Sequence, residues 1–420
     1  MNFPCCASVK IAIFVDVFPI ASQTFVLNQI TTLIDLGVDV EILALYPGDQ
    51  IVLSQPSLAP YQLQRNVTYL LAPKRTVWQQ LGHRLSKVGK GLILGKNRRT
   101  ILAGLKPEFS AQARNLMLST IAATHSAPLK FDWVIAHFGS SGVVANNLRQ
   151  IGVLEANIAT VFHGQDITAE LKFKHTQQNY QRLFKETELL LPVSELWKTQ
   201  LLSMGADESK TYVQRMGVDL SLFMARRTDK STKVLHILTV ARFSQKKGLK
   251  YALQALAKLP STMQFSYRLV GYGELEEELK AQSSALGLND KVHFLGAMNT
   301  QQVAEQMRWA DVFLQPSITA DNGDKEGVPV SIMEAMASGA VIVSTLHSGI
   351  PELVAHNVNG LLAPEKDADA LAQHLNSLYL KPDLRLELAD NARERVSALA
   401  DVVKLNQQLL DLMSNYKRYH

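Results

Sequence analysis

Short runs of consecutive apolar residues alternate with longer stretches in which apolar positions recur every three or four residues, and the alternation continues along nearly the whole chain. In the first half VKIAIFVD, VDVEILAL, FDWVIAHF, IATVFHG and ELLLPVS read as strands. KVLHILTVAR, FSYRLVG, KVHFLG, VFLQPS and AVIVST do so in the second. Apolar runs without polar alternation suit strands covered on both faces, as in parallel sheets. The intervening periodicity predicts helices over 22–36, 143–150, 249–258 and 275–286, and another around Glu334. Strands that alternate with covering helices predict an α/β protein made of two doubly wound, Rossmann-like parallel sheets. At 420 residues the chain exceeds one ordinary core, which also argues for two domains. The boundary is expected in MGVDLSLFMARRTDKSTK, a turn followed by a charged, poorly periodic segment. Residues 1–215 then form the first domain and 216–397 the second.

Composition narrows the class. Nearly half of the residues are apolar and about a fifth are charged, a globular balance. No apolar run reaches the roughly 18 residues that a membrane span needs. KIAIFVDVFPI is interrupted by Asp16, has no basic region ahead of it, and reads as a buried first strand and not a signal peptide. A cytoplasmic protein without a membrane span is expected. Cys5 and Cys6 are adjacent and the only cysteines, so neither a structural disulfide nor a Cys-based zinc site is available. The histidines show no metal-ligand spacing, and no metal or other cofactor is expected.

Net charge is only +5 but is unevenly spread. No acidic residue lies between Asp49 and Glu108, a stretch that holds Arg65, Lys74, Arg75, Arg84, Lys87, Lys90, Lys96, Arg98, Arg99 and Lys106. From Val77 to Ile101 these cations interleave with Trp78, Leu81, Leu85, Val88, Leu92, Ile93 and Leu94 at spacings that allow an amphipathic helix with a basic face. Gly82, Gly89, Gly91 and Gly95 weaken that helix. The region 74–106 is read as a contact for an anionic membrane surface, against the plainer reading of a solvated basic face. No nucleic-acid reading motif accompanies the charge, and nucleic acid is not expected as a partner.

The densest chemistry lies in DKEGVPVSIMEAMASG, 324–339, where two carboxylates, Glu326 and Glu334, stand either side of a predicted helix start near Val328. Gly327 allows close backbone approach to a ligand, and Pro329 fits a first helical turn. The helix N-terminus offers N–H groups and positive dipole to a diphosphate. Glu334 can accept two hydrogen bonds from a ribose diol, and Glu326 at the mouth can hold sugar hydroxyls. Arg242 and Lys247 follow the first strand of the second half, where fixed cations can stabilise a leaving diphosphate. Lys246 is expected to point elsewhere. Gly271 and Gly273 form a strand-to-helix turn that would let a nucleotide approach. His163 and Asp166 stand past the strand IATVF, and His137 ends a comparable strand. His163 can donate to a sugar or acceptor hydroxyl, Asp166 is read as an orienting or acceptor-side carboxylate, and His137 as structural or lining an acceptor cleft. Ser22 and Thr24 head the first helix, as caps or as acceptor contacts.

The passage EGVPVSIMEAMASGAVIVSTLHSGIPELVAHNVNGLLAP resembles the donor-binding signature of the retaining GT-B glycosyltransferases of group 1, or GT4, type. HGQDI, VSELWKTQLLSMGA, MGVDLSLF, VARFSQKKGL and VGYGELEEEL extend the resemblance in the same order through most of the chain. FPIASQTFVLNQI is similar to the colanic-acid type of exopolysaccharide transferases. The resemblance implies a GT-B fold, with two domains facing across a cleft and a last helix, 398–420, that crosses back to the first domain. It implies transfer of a hexosyl group from a UDP- or GDP-sugar to a lipid-linked oligosaccharide, with retention of configuration and no metal, at the inner face of a membrane. It carries the diphosphate contacts onto Arg242 and Lys247 and places His163 beside the reacting carbon.

Two other readings meet the same residues. A nucleotide-sugar epimerase would share the two halves and the diphosphate site but needs acid and base groups for elimination and readdition. A non-catalytic membrane-associated scaffold would keep the basic region and lose the site residues. A dehydrogenase is disfavoured because no G-x-G-x-x-G follows the first strand.

Overall fold

The computed structural model describes residues 9–20, 23–73, 76–95, 97–168, 174–223 and 234–419. Ser22, Lys74, Arg75, Lys96 and most of the expected interdomain segment lie outside the described residues. The chain divides into two compact units. The first runs to Pro192 and includes Lys198–Val213. The second takes Val193–Trp197 and everything from Gln214 onward. The helix Val402–Tyr419 falls within the second unit. The cause is local: Val218 and Asp401 form a parallel bridge, and the Gln214 amide donates to the Leu405 carbonyl at 3.3 Å, which fixes the helix start.

In the first unit, strands β1 (Lys10–Phe18), β2 (Asp39–Pro47), β3 (Val67–Tyr69), β4 (Leu129–His137), β5 (Leu154–Phe162) and β6 (Leu189–Pro192) form one sheet. Their order is β3-β2-β1-β4-β5-β6, with parallel pairing throughout. The second unit repeats the scheme with β7 (Leu235–Val240), β8 (Phe265–Val270), β9 (Val292–Gly296), β10 (Val312–Gln315), β11 (Val341–Thr345) and β12 (Leu361–Ala363). Its order, β12-β11-β10-β7-β8-β9, is the same winding. Both units thus have the doubly wound order in which ligands bind at the carboxyl ends, where the winding reverses. The reversals fall between β1 and β4 and between β7 and β10.

The cores explain why the apolar runs were legible. Ile11, Ala12, Ile13 and Phe14 of β1 are all fully buried, as are Val341, Ile342 and Val343 of β11. Helices on both faces cover successive side chains, so no polar alternation survives. Two strands escape the pattern. β3 and β12 are three residues long and lie at sheet edges.

The basic region folds as a helix, Val77–Ile93, followed by a shorter one, Arg98–Ala103. Gly91 is tolerated because a Cβ there would lie 2.8 Å from the Ile101 side chain and 3.0 Å from that of Ala123, so the glycine admits close helix packing. Arg84 departs from the expected basic face. It is buried, donating to the Asn115 carbonyl at 2.7 Å and the Tyr46 hydroxyl at 3.0 Å. Lys87, Lys90, Arg98 and Arg99 are exposed, next to Trp78, Leu85, Ile93 and Leu94, which are also exposed. No described helix is long and apolar enough to cross a membrane.

Candidate functional site

Parallel strands deliver their following loops to one end of each sheet, and most of the predicted site residues stand on those loops. In the second unit Arg242 and Lys247 follow β7, Gly271 and Gly273 follow β8, and Glu326 follows β10. These three strands are neighbours in the sheet, and the winding reverses between β10 and β7. The loop after β10 leads through Gly327 and Val328 to Pro329, which takes the N-cap position (φ −63°, ψ 119°) of the helix Val330–Ser338. That start is slightly later than Val328, because the proline keeps an extended ψ and turns only afterwards.

Lys247 Nζ lies 2.9 Å from Glu326 Oε1, and Lys246 Nζ lies 3.0 Å from Asp324 Oδ2. Lys246 therefore joins the acidic loop and does not point away from it. Burial opposes ionisation of Glu326, but Lys247 and then Lys246 outweigh it and hold the carboxyl below its usual range. Glu334 is in the opposite state. It is buried, has no hydrogen bond or ion pair among the described residues, and burial pushes its carboxyl up to about 7. Arg242 is exposed and has no carboxylate partner among the described residues.

The turn Gly271–Tyr272–Gly273 packs onto the loop that carries Arg242. The Phe243 N–H donates to the Tyr272 carbonyl at 2.8 Å, and the Leu275 N–H donates to the Phe243 carbonyl at 3.1 Å. A Cβ at 271 would strike the Ala241 carbonyl, and one at 273 would lie 2.5 Å from the Phe243 carbonyl oxygen. In the Cβ direction the space at both glycines is therefore filled by the Arg242 loop.

In the first unit His163 and His137 meet at 3.1 Å, Nε2 to Nδ1. The Phe25 and Phe138 rings flank His163, with centroids 4.7 and 4.5 Å away. Burial lowers His137 to about 3, and burial together with His137 holds His163 well below the ordinary histidine value. Both rings are neutral at pH 7, so His163 offers a dipolar N–H or lone pair and not a cation. Asp166 is fully buried and accepts the N–H groups of His163 (3.0 Å), Gly164 (2.9 Å) and Gly139 (2.9 Å). Its oxygens orient the loops after β4 and β5 and face no solvent. Burial pushes the carboxyl up to about 6 against those three bonds. Thr24 begins the helix Thr24–Asp35 one position inside the N-cap, which is Gln23 without a side-chain cap bond, so Thr24 is not the cap.

Three polar residues escaped the sequence reading: Asp324, His347 and Glu365. His347 Nε2 accepts the Glu326 N–H at 3.1 Å, and its Nδ1 lies 2.6 Å from Glu365 Oε1. Their separation along the chain leaves no spacing signal. Glu352 was equally silent: it accepts the N–H groups of Glu195 and Leu196 at 2.9 and 2.8 Å, a capping contact for the helix Glu195–Ser203.

Two parallel six-stranded sheets of identical winding, covered by helices, have the architecture of the GT-B fold. Solved structures share that fold. A crystal structure of Anabaena Alr3699/HepE in complex with UDP and glucose matches with a TM-score of 0.69 at 21% identity, over 97% of this chain and 100% of that one. Sucrose-phosphate synthase from Thermosynechococcus elongatus matches with a TM-score of 0.69 at 18% identity, over 98% and 100%. The family model of the glycosyl transferases group 1 matches residues 223–395. The putative colanic acid biosynthesis glycosyltransferase WcaL of Escherichia coli K12 is 40% identical over 96% of this chain and 99% of its own. The amylovoran biosynthesis glycosyltransferase AmsK of Erwinia amylovora is 41% identical over 86% and 89%. The chain belongs to this family of group 1 glycosyltransferases of exopolysaccharide biosynthesis.

The state of Glu334 makes a stability prediction. Its folded value, about 7, lies above the ordinary 4.5, so the folded protein binds the extra proton and stability falls as pH rises from about 4.5 to 7. Glu334→Gln removes that loss. Thermal unfolding should show the variant matching wild type near pH 5 and exceeding it by roughly 3 °C or more at pH 8. A difference that does not change with pH would contradict the assignment.

Proposed function

We propose that this transferase moves a hexosyl group from a UDP- or GDP-sugar to a hydroxyl of a lipid-linked oligosaccharide, with retention of configuration, on the cytoplasmic face of a membrane. The observation that carries the reading is the Lys247–Glu326 pair, a cation for a diphosphate and a carboxylate for sugar hydroxyls held 2.9 Å apart beside a helix start. In the reaction the bond from the sugar C1 to the diphosphate oxygen breaks and a bond from the acceptor hydroxyl oxygen to C1 forms. The hydroxyl proton passes to the departing diphosphate. Lys247 and Arg242 stabilise the charge that gathers there, and the N-terminus of Val330–Ser338 adds N–H dipoles. These fixed charges do the electrostatic work, and the proposed reaction uses no metal. Glu326 holds donor hydroxyls, Glu334 the ribose diol, and neutral His163 a sugar hydroxyl near C1. Thr24 and His137 belong to the acceptor side of this scheme, with Asp166 orienting the loops between them.

The family supports the reaction class, and the named relatives support exopolysaccharide assembly as its setting. UDP and glucose occupy the HepE structure, which supports a nucleotide-sugar donor here. The membrane part rests on the Val77–Ile93 helix and its successor. Trp78, Ile93 and Leu94 are 82%, 79% and 73% exposed next to Lys87, Lys90, Arg98 and Arg99, an arrangement that would place apolar side chains below anionic headgroups that the cations contact.

Glu326→Gln keeps size and loses charge, so transfer should fall by roughly two orders of magnitude; near-normal turnover would remove Glu326 from the site. Calorimetry with UDP, GDP and ADP should find one nucleotide bound selectively, with binding lost in Glu334→Ala. Replacing Lys87, Lys90, Arg98 and Arg99 by glutamine should abolish sedimentation with phosphatidylglycerol vesicles while leaving Arg84, a packing residue, in place. Unchanged sedimentation would end the membrane reading.

A further inference from the structure

Glu326 sits in a stretch, 316–329, that has no regular secondary structure, yet its peptide group is held on both sides. Its N–H donates to His347 Nε2 at 3.1 Å, and its carbonyl accepts the Ser348 hydroxyl at 2.5 Å. A backbone N–H can only donate, so Nε2 carries no proton and the neutral ring has its proton on Nδ1. Nδ1 faces Glu365 Oε1 at 2.6 Å, which accepts that proton's hydrogen bond. Glu365 is fixed in turn by Thr319, whose N–H donates to Oε2 at 2.9 Å and whose hydroxyl lies 3.2 Å from Oε1. Thr319 belongs to the same stretch as Glu326. The His347 ring is 1% exposed and cannot exchange these partners for water.

Resting on the donor-site reading above, we infer that His347 and Glu365 are positioning residues that hold Glu326 in place for its contact with the donor sugar, through a single histidine tautomer. Glu365 selects the Nδ1–H form, that form presents a bare Nε2, and the bare Nε2 fixes the Glu326 peptide. The Glu326 carboxylate is thereby kept against Lys247. His347 itself reaches the sugar only through Glu326. Its loss should therefore weaken recognition of the sugar and spare recognition of the nucleotide.

The test is calorimetric binding of UDP-glucose, UDP-galactose, GDP-mannose and GDP-fucose, each against its free nucleotide, to the full chain. The readout is the gain in affinity that the sugar brings for the donor that wild type binds best. His347→Leu, which removes the acceptor, should cut that gain by about tenfold or more while nucleotide affinity stays within about twofold, which also certifies the fold. His347→Gln returns an oxygen to the position of Nε2 and should restore most of the gain. Glu365→Ala, at a partly exposed position that tolerates truncation, should lower the gain in the same direction. Nitrogen-15 spectra of labelled histidine should show His347 protonated at Nδ1, and a proton on Nε2 would overturn the inference.

Glu326→Gln separates two kinds of failure. If it abolishes the gain and His347→Leu and Glu365→Ala do not, the positioning role is wrong and the donor reading stands. If Glu326→Gln leaves the gain intact, or no sugar improves on its nucleotide in wild type, the donor reading fails and the inference fails with it.

Discussion

Parallel pairing is the constraint from which the rest follows. A strand that must lie parallel to its predecessor cannot be reached by a tight turn, so the chain returns along a sheet face, almost always as a helix. Every strand-to-helix loop then emerges at one end of the sheet. Within each unit the order β3-β2-β1-β4-β5-β6, or its counterpart β12-β11-β10-β7-β8-β9, sends successive crossovers to opposite faces on either side of the reversal. The loops after β7 and β10 therefore diverge at their bases and leave room between them. Lys247 and Glu326 face each other for that reason, although 79 positions along the chain separate their numbers.

Once loops are gathered, electrostatics decides what each carboxylate does. Glu326, Glu334 and Asp166 are all buried, and burial alone raises all three. Two lysines reverse the effect at Glu326. Three backbone N–H groups only moderate it at Asp166. Nothing offsets it at Glu334, which keeps the highest value. A buried carboxyl is thus an ion-pair partner, a loop clamp and an acid without a partner among the described residues within one chain. The last is costly in an isolated protein, and such groups tend to mark places where a ligand completes the hydrogen bonding.

The histidines follow a parallel logic. His137 and His163 are neutral because apolar rings surround them, and His347 is fixed in one tautomer because its two nitrogens face partners of opposite kind. Among the described residues no cluster of histidines, cysteines or carboxylates has the form of a metal site.

Much of this protein was determined by sequence alone. The apolar runs placed ten of the strands named above, because a strand covered on both faces must be apolar at every position. The three-residue edge strands β3 and β12 were not legible, since a segment that short has no period. Glu326, Glu334, Arg242, Lys247, His163 and His137 could be picked out as candidate chemistry from residue type and order, and all but Glu334, which lies within the helix Val330–Ser338, stand on or beside strand-end loops. What each does to its neighbours was not legible. Arg84 reads like any other cation of its helix and is a buried packing residue. Gly271 and Gly273 also seat the Arg242 loop, a contact that their spacing does not announce. Lys246 reads like a bystander and pairs with Asp324. His347 and Glu365 carry no pattern at all, because their relation exists only across a hydrogen bond formed when separate strands align. Composition and periodicity are local properties of a chain, whereas burial, pairing and tautomer depend on which distant segments the sheet brings together, and only the tertiary structure decides those.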